Sequence, residues 1–306
     1  MSSENKNSSI KGSNNNLKIS SCIGVFAVAV IAGVVMRFIQ MSKFIDPETG
    51  FYTGGGVLNI IFYAVIAVAL LAFCAVSFFS ADVKKLEIGN DSHKLAGIGT
   101  RLFAISLLWD SFYSFFAGIY SAGSSTAGYT GIMKSGTLPL ILQSVFALFS
   151  AVYFFILASD FSKGTAKAYK RKILATAPVC WAGARLIFRF LRQISFVQVS
   201  DLLLELVMIA FMVMFFMALA QTASGVYRDT FKWRIPAFGL SAALIGAVLN
   251  VPRLVFTFIN GSLINSDHTF SLADFIFVIF ILTLMSKIKE DAQRPSVSAE
   301  YEEKAE

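Results

Sequence analysis

The stretch VLNIIFYAVIAVALLAFCAVSFF, residues 57–79, decides the fold. It is 23 residues long and carries no charge. At 1.5 Å per residue a helix of this length spans about 35 Å, enough for a hydrocarbon layer about 30 Å thick. A membrane-barrel strand would be about 10 residues long with apolar and polar positions alternating, and there is no such alternation here. In lipid the backbone must bond to itself, so the run reads as a transmembrane helix. Seven further runs resemble it, at residues 19–40, 96–120, 137–158, 173–194, 201–224, 235–259 and 271–288. The expectation is an all-α, polytopic bundle of about eight spans. It has a disordered polar tail over 1–17 and a second disordered tail over 289–306. The composition agrees, with 56% hydrophobic residues, 31 phenylalanines and only 15% charged residues. A soluble domain carries about 25% charge.

The formal net charge of +7 does not point to nucleic acid, because the positive residues sit in short clusters between apolar runs. Eighteen Lys and Arg fall in the tails and in the second, fourth and sixth connections. Only Lys43 and Lys134 fall in the other four connections. By the positive-inside rule this places both termini in the cytoplasm, and it supports an even number of spans independently of hydropathy. The first run is too long for the core of a secretory signal and is read as a retained helix. Cys22, Cys74 and Cys180 are dispersed in apolar segments with no CxxC or Cys/His grouping, which argues against a disulfide framework or a metal site. The lipid bilayer is the expected partner.

The chain has an internal likeness. Arg185-Leu-Ile-Phe188 returns as Arg253-Leu-Val-Phe256, 68 residues later, and each is followed by an acidic residue near the next helix start, Glu205 and Asp274. Two outer loops, 49–54 and 126–131, match at four of six positions. Four tandem helical hairpins would explain this; so would chance among Phe/Leu-rich helices. Arg37-Phe-Ile-Gln40, the turn Phe44-Ile-Asp-Pro-Glu-Thr-Gly50 and the glycine stretch before the second run resemble uncharacterised multi-pass membrane proteins of Gram-positive anaerobic bacteria. The likeness lies mainly in residues 30–80. It implies a bacterial plasma-membrane protein and no particular activity.

Ionisable residues inside spans are costly, about 2.5–3.5 kcal/mol each on insertion scales, and they direct the search for a site. Arg185, Arg189 and Arg192 recur at i, i+4 and i+7, so they share one helix face that should look into the bundle. Counted along the helices, Asp110, Arg185, Glu205, Arg37 and Arg253 all fall in the outer half of the membrane. Asp110 and Glu205 are the expected counter-charges for the arginines, with Asp201 and Asp274 nearer the rim. One reading is an outward-facing polar cavity whose arginine excess favours a small anionic solute, since a guanidinium fork bonds both oxygens of a carboxylate or phosphate. The competing reading is structural ion pairs, with Arg37, Arg192 and Arg253 snorkelling at the rim. A voltage sensor is disfavoured because only one helix carries the stripe.

Other features read as packing or capping. Pro178 and Pro252 are candidate helix kinks. Met208, Met212, Met214 and Met217 read as packing, as do Trp109, Trp181 and Trp233. Ala29/Gly33, Ser114/Gly118 and Ala242/Gly246 suit close helix contact. Ser271 with Asp274 opens the last helix as a capping box. His93 and His268 have no partner that the sequence identifies. There is no P-loop, HExxH, GxSxG or dinucleotide turn, so no catalytic residue, metal ligand or cofactor is assigned. Two functions remain: the favoured expectation is a transporter or permease for a small, anionic solute, and the alternative is a membrane-embedded interaction protein such as an accessory subunit, assembly factor or sensor.

Overall fold

Each apolar run becomes a helix in a computed structural model, which describes residues 2–44, 53–79, 92–124, 137–168, 171–191, 199–225, 232–260 and 271–293. Among the described residues there are eight α-helices: α1 Ser2–Ile39, α2 Gly56–Phe79, α3 Lys94–Ser124, α4 Thr137–Lys163, α5 Ala177–Leu191, α6 Val199–Ala223, α7 Arg234–Asn260 and α8 Leu272–Gln293. There is no strand among the described residues. The fold is therefore the expected all-α bundle. The helix bounds of α1 include most of the tail expected to be disordered; its apolar part begins at Ser21. The turn Gln40–Phe44 continues α1 with π-helical spacing and carries Gln40 into the interior. The two matching outer loops lie largely outside the described residues.

Six of the helices are long and apolar enough to cross a membrane, and α5 and α8 are the exceptions. At 15 residues α5 is about 22 Å long, shorter than the run expected over 173–194. A 3₁₀ turn over Leu174–Thr176 precedes it. Pro178 lies in its first turn, where the missing N–H has no intrahelical partner to lose, so it opens the helix instead of kinking it. Pro252 does lie inside α7. The middle of α8 is apolar, but Asp274 stands at its start and Lys287, Lys289, Glu290 and Asp291 near its end. The short length of α5 and the charges at the two ends of α8 set these helices apart, and some of those charges become important below.

Sequential helices pack as hairpins, and six of them also close a ring. The order round it is α3, α4, α5, α6, α7, α8 and back to α3. The α1–α2 hairpin docks on α7, with α1 also reaching α8. Close approach uses small residues where the helices meet. A Cβ on Gly33 would come within 2.7 Å of Val248, and one on Gly99 within 2.1 Å of the Thr283 hydroxyl. Phe38 stacks on Phe256 at 5.0 Å and Phe78 meets Trp233 edge-on at 5.4 Å, holding the hairpin at both ends.

The middle of the ring is filled. Phe103 of α3 lies 4.9 Å from Phe154 of α4 and 5.2 Å from Phe280 of α8 by ring centroid. Trp181 of α5, Phe216 of α6 and Phe277 of α8 complete its surroundings at 6.3, 6.2 and 5.7 Å. All six are at most 1% exposed. Phe103 stacks on Phe216 and Phe280 and meets the other three rings edge-on, so this level of the bundle is filled by aromatic packing.

Candidate functional site

Past the aromatic layer, toward the C-terminal end of α5, the interior becomes charged. Along α5, Trp181 is followed one turn later by Arg185; along α8, which runs the other way, Asp274 precedes Phe277. Arg185 reaches across the ring and grips Asp274 with both arms of its fork, at 2.6 and 2.8 Å. Arg185 is 6% exposed and Asp274 2%. The expected capping box is half formed. The Asp274 N–H donates to Ser271 Oγ at 3.3 Å, but its carboxylate serves Arg185, and the Ser271 N–H goes to Asn250 at 3.2 Å instead.

One turn further out, Arg189 pairs with Glu205 of α6 at 2.6 Å. The two described arginines of the stripe thus face the interior, as their spacing requires. Arg192 lies outside the described residues. Asp201 is shared. Arg37 of α1 and Arg253 of α7 both pair with it, Arg253 at 3.3 Å. Arg37 is 1% exposed and Arg253 4%, so neither snorkels at the rim; that expectation is corrected. Arg37 also donates to Gln40 at 3.0 Å, Gln40 donates to Asn59 of α2 at 3.0 Å, and the guanidinium lies 6.0 Å from the Phe62 ring.

Asp110 of α3 is bound differently. Its Oδ2 accepts the Trp181 indole N–H at 2.8 Å and the Gln143 amide N–H at 3.0 Å. The Gln143 amide also donates to Ser114 at 3.0 Å. The face of Trp181 carries the Arg185 guanidinium 5.1 Å away. The reading of Trp181 as packing alone is thereby corrected: it joins Asp110 to the Arg185–Asp274 pair. Arg185 also feels the charges of Asp110 and Glu205, and Arg253 those of Glu205 and Asp274, so the groups form one electrostatic unit. Every helix of the bundle contributes to it.

The unit is balanced. Arg37, Arg185, Arg189 and Arg253 face Asp110, Asp201, Glu205 and Asp274, so the arginine excess that favoured an anionic ligand is absent among the described residues. The sequence assigned the arginines well but their partners less well, since Arg185 takes Asp274 and not Asp110 or Glu205. Gln40, Asn59 and Gln143 carried no sequence signal beyond being polar in apolar runs. Between the two like segments the partners are exchanged. Arg185 takes the acid that follows Arg253, and Arg253 takes an acid that follows Arg185.

At the other end of the ring, Lys287 of α8 is 1% exposed, bonds Asp291 at 2.5 Å and lies 5.8 Å from the Phe161 ring. Asp160 of α4 accepts Thr165 and the Ala168 N–H, each at 2.6 Å, and so closes the turn after α4. His93 does have a partner. Its Nδ1 accepts the Ala96 N–H at 3.1 Å, capping α3, so the proton on Nε2 faces Glu290 at 2.8 Å. Cys180 is exposed and Cys74 half-buried, so only Cys22 is an interior thiol. Met208 and Met212 are buried while Met214 and Met217 face outward, so the four do not converge. No group of three potential ligands for a metal ion occurs among the described residues. No family model, curated protein or solved structure matches the chain.

Proposed function

We propose that the chain is a membrane-embedded interaction protein, an accessory subunit, assembly factor or sensor, and not an enzyme. It resides in the plasma membrane with both termini in the cytoplasm. The observation that carries this reading is the condition of the outer-half charges. Each described arginine there is ion-paired and the level beneath is solid with aromatic rings. A bound solute would have to displace a bidentate pair, and breaking a buried pair costs about 3–5 kcal/mol. Such a network instead fixes helix register and holds a defined outer surface. Its test uses a photo-crosslinking side chain on the outward face of α3, where Trp109, Phe112, Phe116 and Tyr120 are exposed. In native membranes a discrete protein adduct is expected. Lipid adducts alone, with anion uptake by liposomes containing the pure protein, would overturn the reading.

One observation favours the second reading, a permease for a small anionic solute. The Arg185–Asp274 pair spans the ring interior, so parting it would turn a guanidinium fork toward the outer side. Thermal-shift screening of the purified protein against phosphate, formate and other small carboxylates decides between the two. Stabilisation lost in Arg185→Ala supports the permease; no shift with any anion supports the interaction protein.

A further inference from the structure

One arginine within a span lies outside the charged layer and is held unlike the others. Arg37, Arg185, Arg189 and Arg253 each pair with a carboxylate in the interior. Arg101 of α3 is exposed, and its guanidinium donates to the Ser162 hydroxyl of α4 at 3.2 Å, its one side-chain bond among the described residues. Ser162 in turn donates to the Ala158 carbonyl at 2.8 Å, so its oxygen is left to accept from Arg101. The carboxylates described at this end of the bundle are engaged elsewhere. Asp160 closes the turn after α4, Glu290 meets His93, and Asp291 bonds Lys287.

Arg101 stands in an apolar stripe that faces lipid. Ile98 and Ile105, about one turn to either side of it, are 54% and 55% exposed. Val152 and Phe155 are exposed on the stripe of α4 that leads to Ser162. Arg101 lies roughly 10 Å along the axis from Lys94, the start of α3, and so within the span. A guanidinium at that depth is costly unless its head reaches a polar partner, and the chain supplies one hydroxyl. Gly97 makes even that contact possible. It faces α4 one turn before Arg101, and a Cβ on it would lie 2.2 Å from Ser162 Oγ, so the seam between the two helices is narrow there. Lys94, on the same face of α3, and Lys163, next to Ser162 in the chain, are exposed where the seam opens.

We propose that the α3–α4 seam at Arg101 binds the headgroup of an anionic phospholipid. The phosphate seats on the Arg101 fork, which bonds two oxygens at once. Lys94 and Lys163 favour a headgroup with net negative charge over a zwitterionic one. The acyl chains lie along Ile98, Ile105, Val152 and Phe155. A lipid fits this site better than a free anion, because the cation is set in an apolar stripe that acyl chains cover. The inference is independent of whether the protein docks partners or moves solutes, and of which leaflet surrounds this end.

The full-length protein is equilibrated with phosphatidylglycerol or with phosphatidylcholine, and the lipid it retains is counted by native mass spectrometry. The parent is expected to retain phosphatidylglycerol selectively. Arg101→Ala should lose most of that retention, and Arg101→Lys part of it, since lysine keeps the charge but not the fork. Lys232→Ala removes one positive charge beside α7, which lies beyond α8 from α3 in the ring, and should keep the retention. In phosphatidylcholine nanodiscs Arg101→Ala should melt close to the parent, and the rise in melting temperature that phosphatidylglycerol gives the parent should be lost in Arg101→Ala. Equal losses in Lys232→Ala and Arg101→Ala indicate a diffuse basic surface and overturn the proposal. So does equal retention of the two lipids, or undiminished retention in Arg101→Ala. Inorganic phosphate raising the parent's melting temperature as far as phosphatidylglycerol does marks a free-anion site and overturns it as well.

Discussion

At the residue scale, the value of the Arg185–Asp274 pair is best judged by what happens when half of it is removed. Asp274→Ala leaves a guanidinium 6% exposed with no bidentate partner, and the expected loss is about 3–5 kcal/mol, read as a lowered melting temperature in nanodiscs. Replacing both partners with apolar side chains, Arg185→Met with Asp274→Leu, removes the stranded charge and should recover most of that loss. If the double variant melts as low as Asp274→Ala, the pair has no special standing. Trp181→Phe is a milder probe. The ring stays in the aromatic layer, but Asp110 loses one of its two donors, and the expected loss is about 1–3 kcal/mol. Asp110→Ala and Trp181→Phe should be less than additive, since both cut the same bond. The sequence disclosed the arginine stripe because helical spacing is periodic. It could not disclose the partners, because counting residues locates a Cα, whereas a guanidinium on a long side chain bonds well above or below its own Cα.

At the element scale, the register of α3 is set by two glycines on different faces. A Cβ on Gly97 would collide with Ser162 of α4, and one on Gly99 with Thr283 of α8, whose own Cβ would lie only 2.9 Å away. Gly99→Val should therefore force α3 off α8 and cost about 1–3 kcal/mol as overpacking. Thr283→Gly in the same chain should restore part of it. An unchanged melting temperature in Gly99→Val would mean that the two helices do not approach as described. Most of the elements were legible in the sequence because lipid demands long, uninterrupted apolar runs. Of the two helices that fall short, α5 is only 15 residues long, and α8 carries Asp274 at its start and Lys287 and Lys289 near its end. Pro178 misled for a local reason, since a proline in a first turn starts a helix, whereas Pro252 lies inside α7.

At the scale of the whole molecule, the ring was not legible, because which helix neighbours which depends on side-chain fit. The sidedness is an expectation that rests on where Lys and Arg fall between the spans. The two meet in one test. If both termini are cytoplasmic and all eight helices cross, the α1–α2 and α3–α4 connections face outward, and the ends of α4 and α6 face inward. In a chain with Cys22, Cys74 and Cys180 replaced by Ala, Thr53→Cys should react with a membrane-impermeant maleimide in intact cells. Thr137→Cys is buried and is a poor probe, so Leu138→Cys, exposed at the start of α4, is the better second site. Lys163→Cys and Ser224→Cys, near the other ends of α4 and α6, should react only after the cells are permeabilised. Labelling of Lys163→Cys from outside would invert the topology. With α4 and α6 crossing, equal accessibility of Leu138→Cys and Ser224→Cys would mean that α5 does not cross, since an odd number of spans between the two positions puts them on opposite sides. It would also remove Arg185 from the ring interior, so the charged layer and the eight-span topology stand or fall on the same measurement.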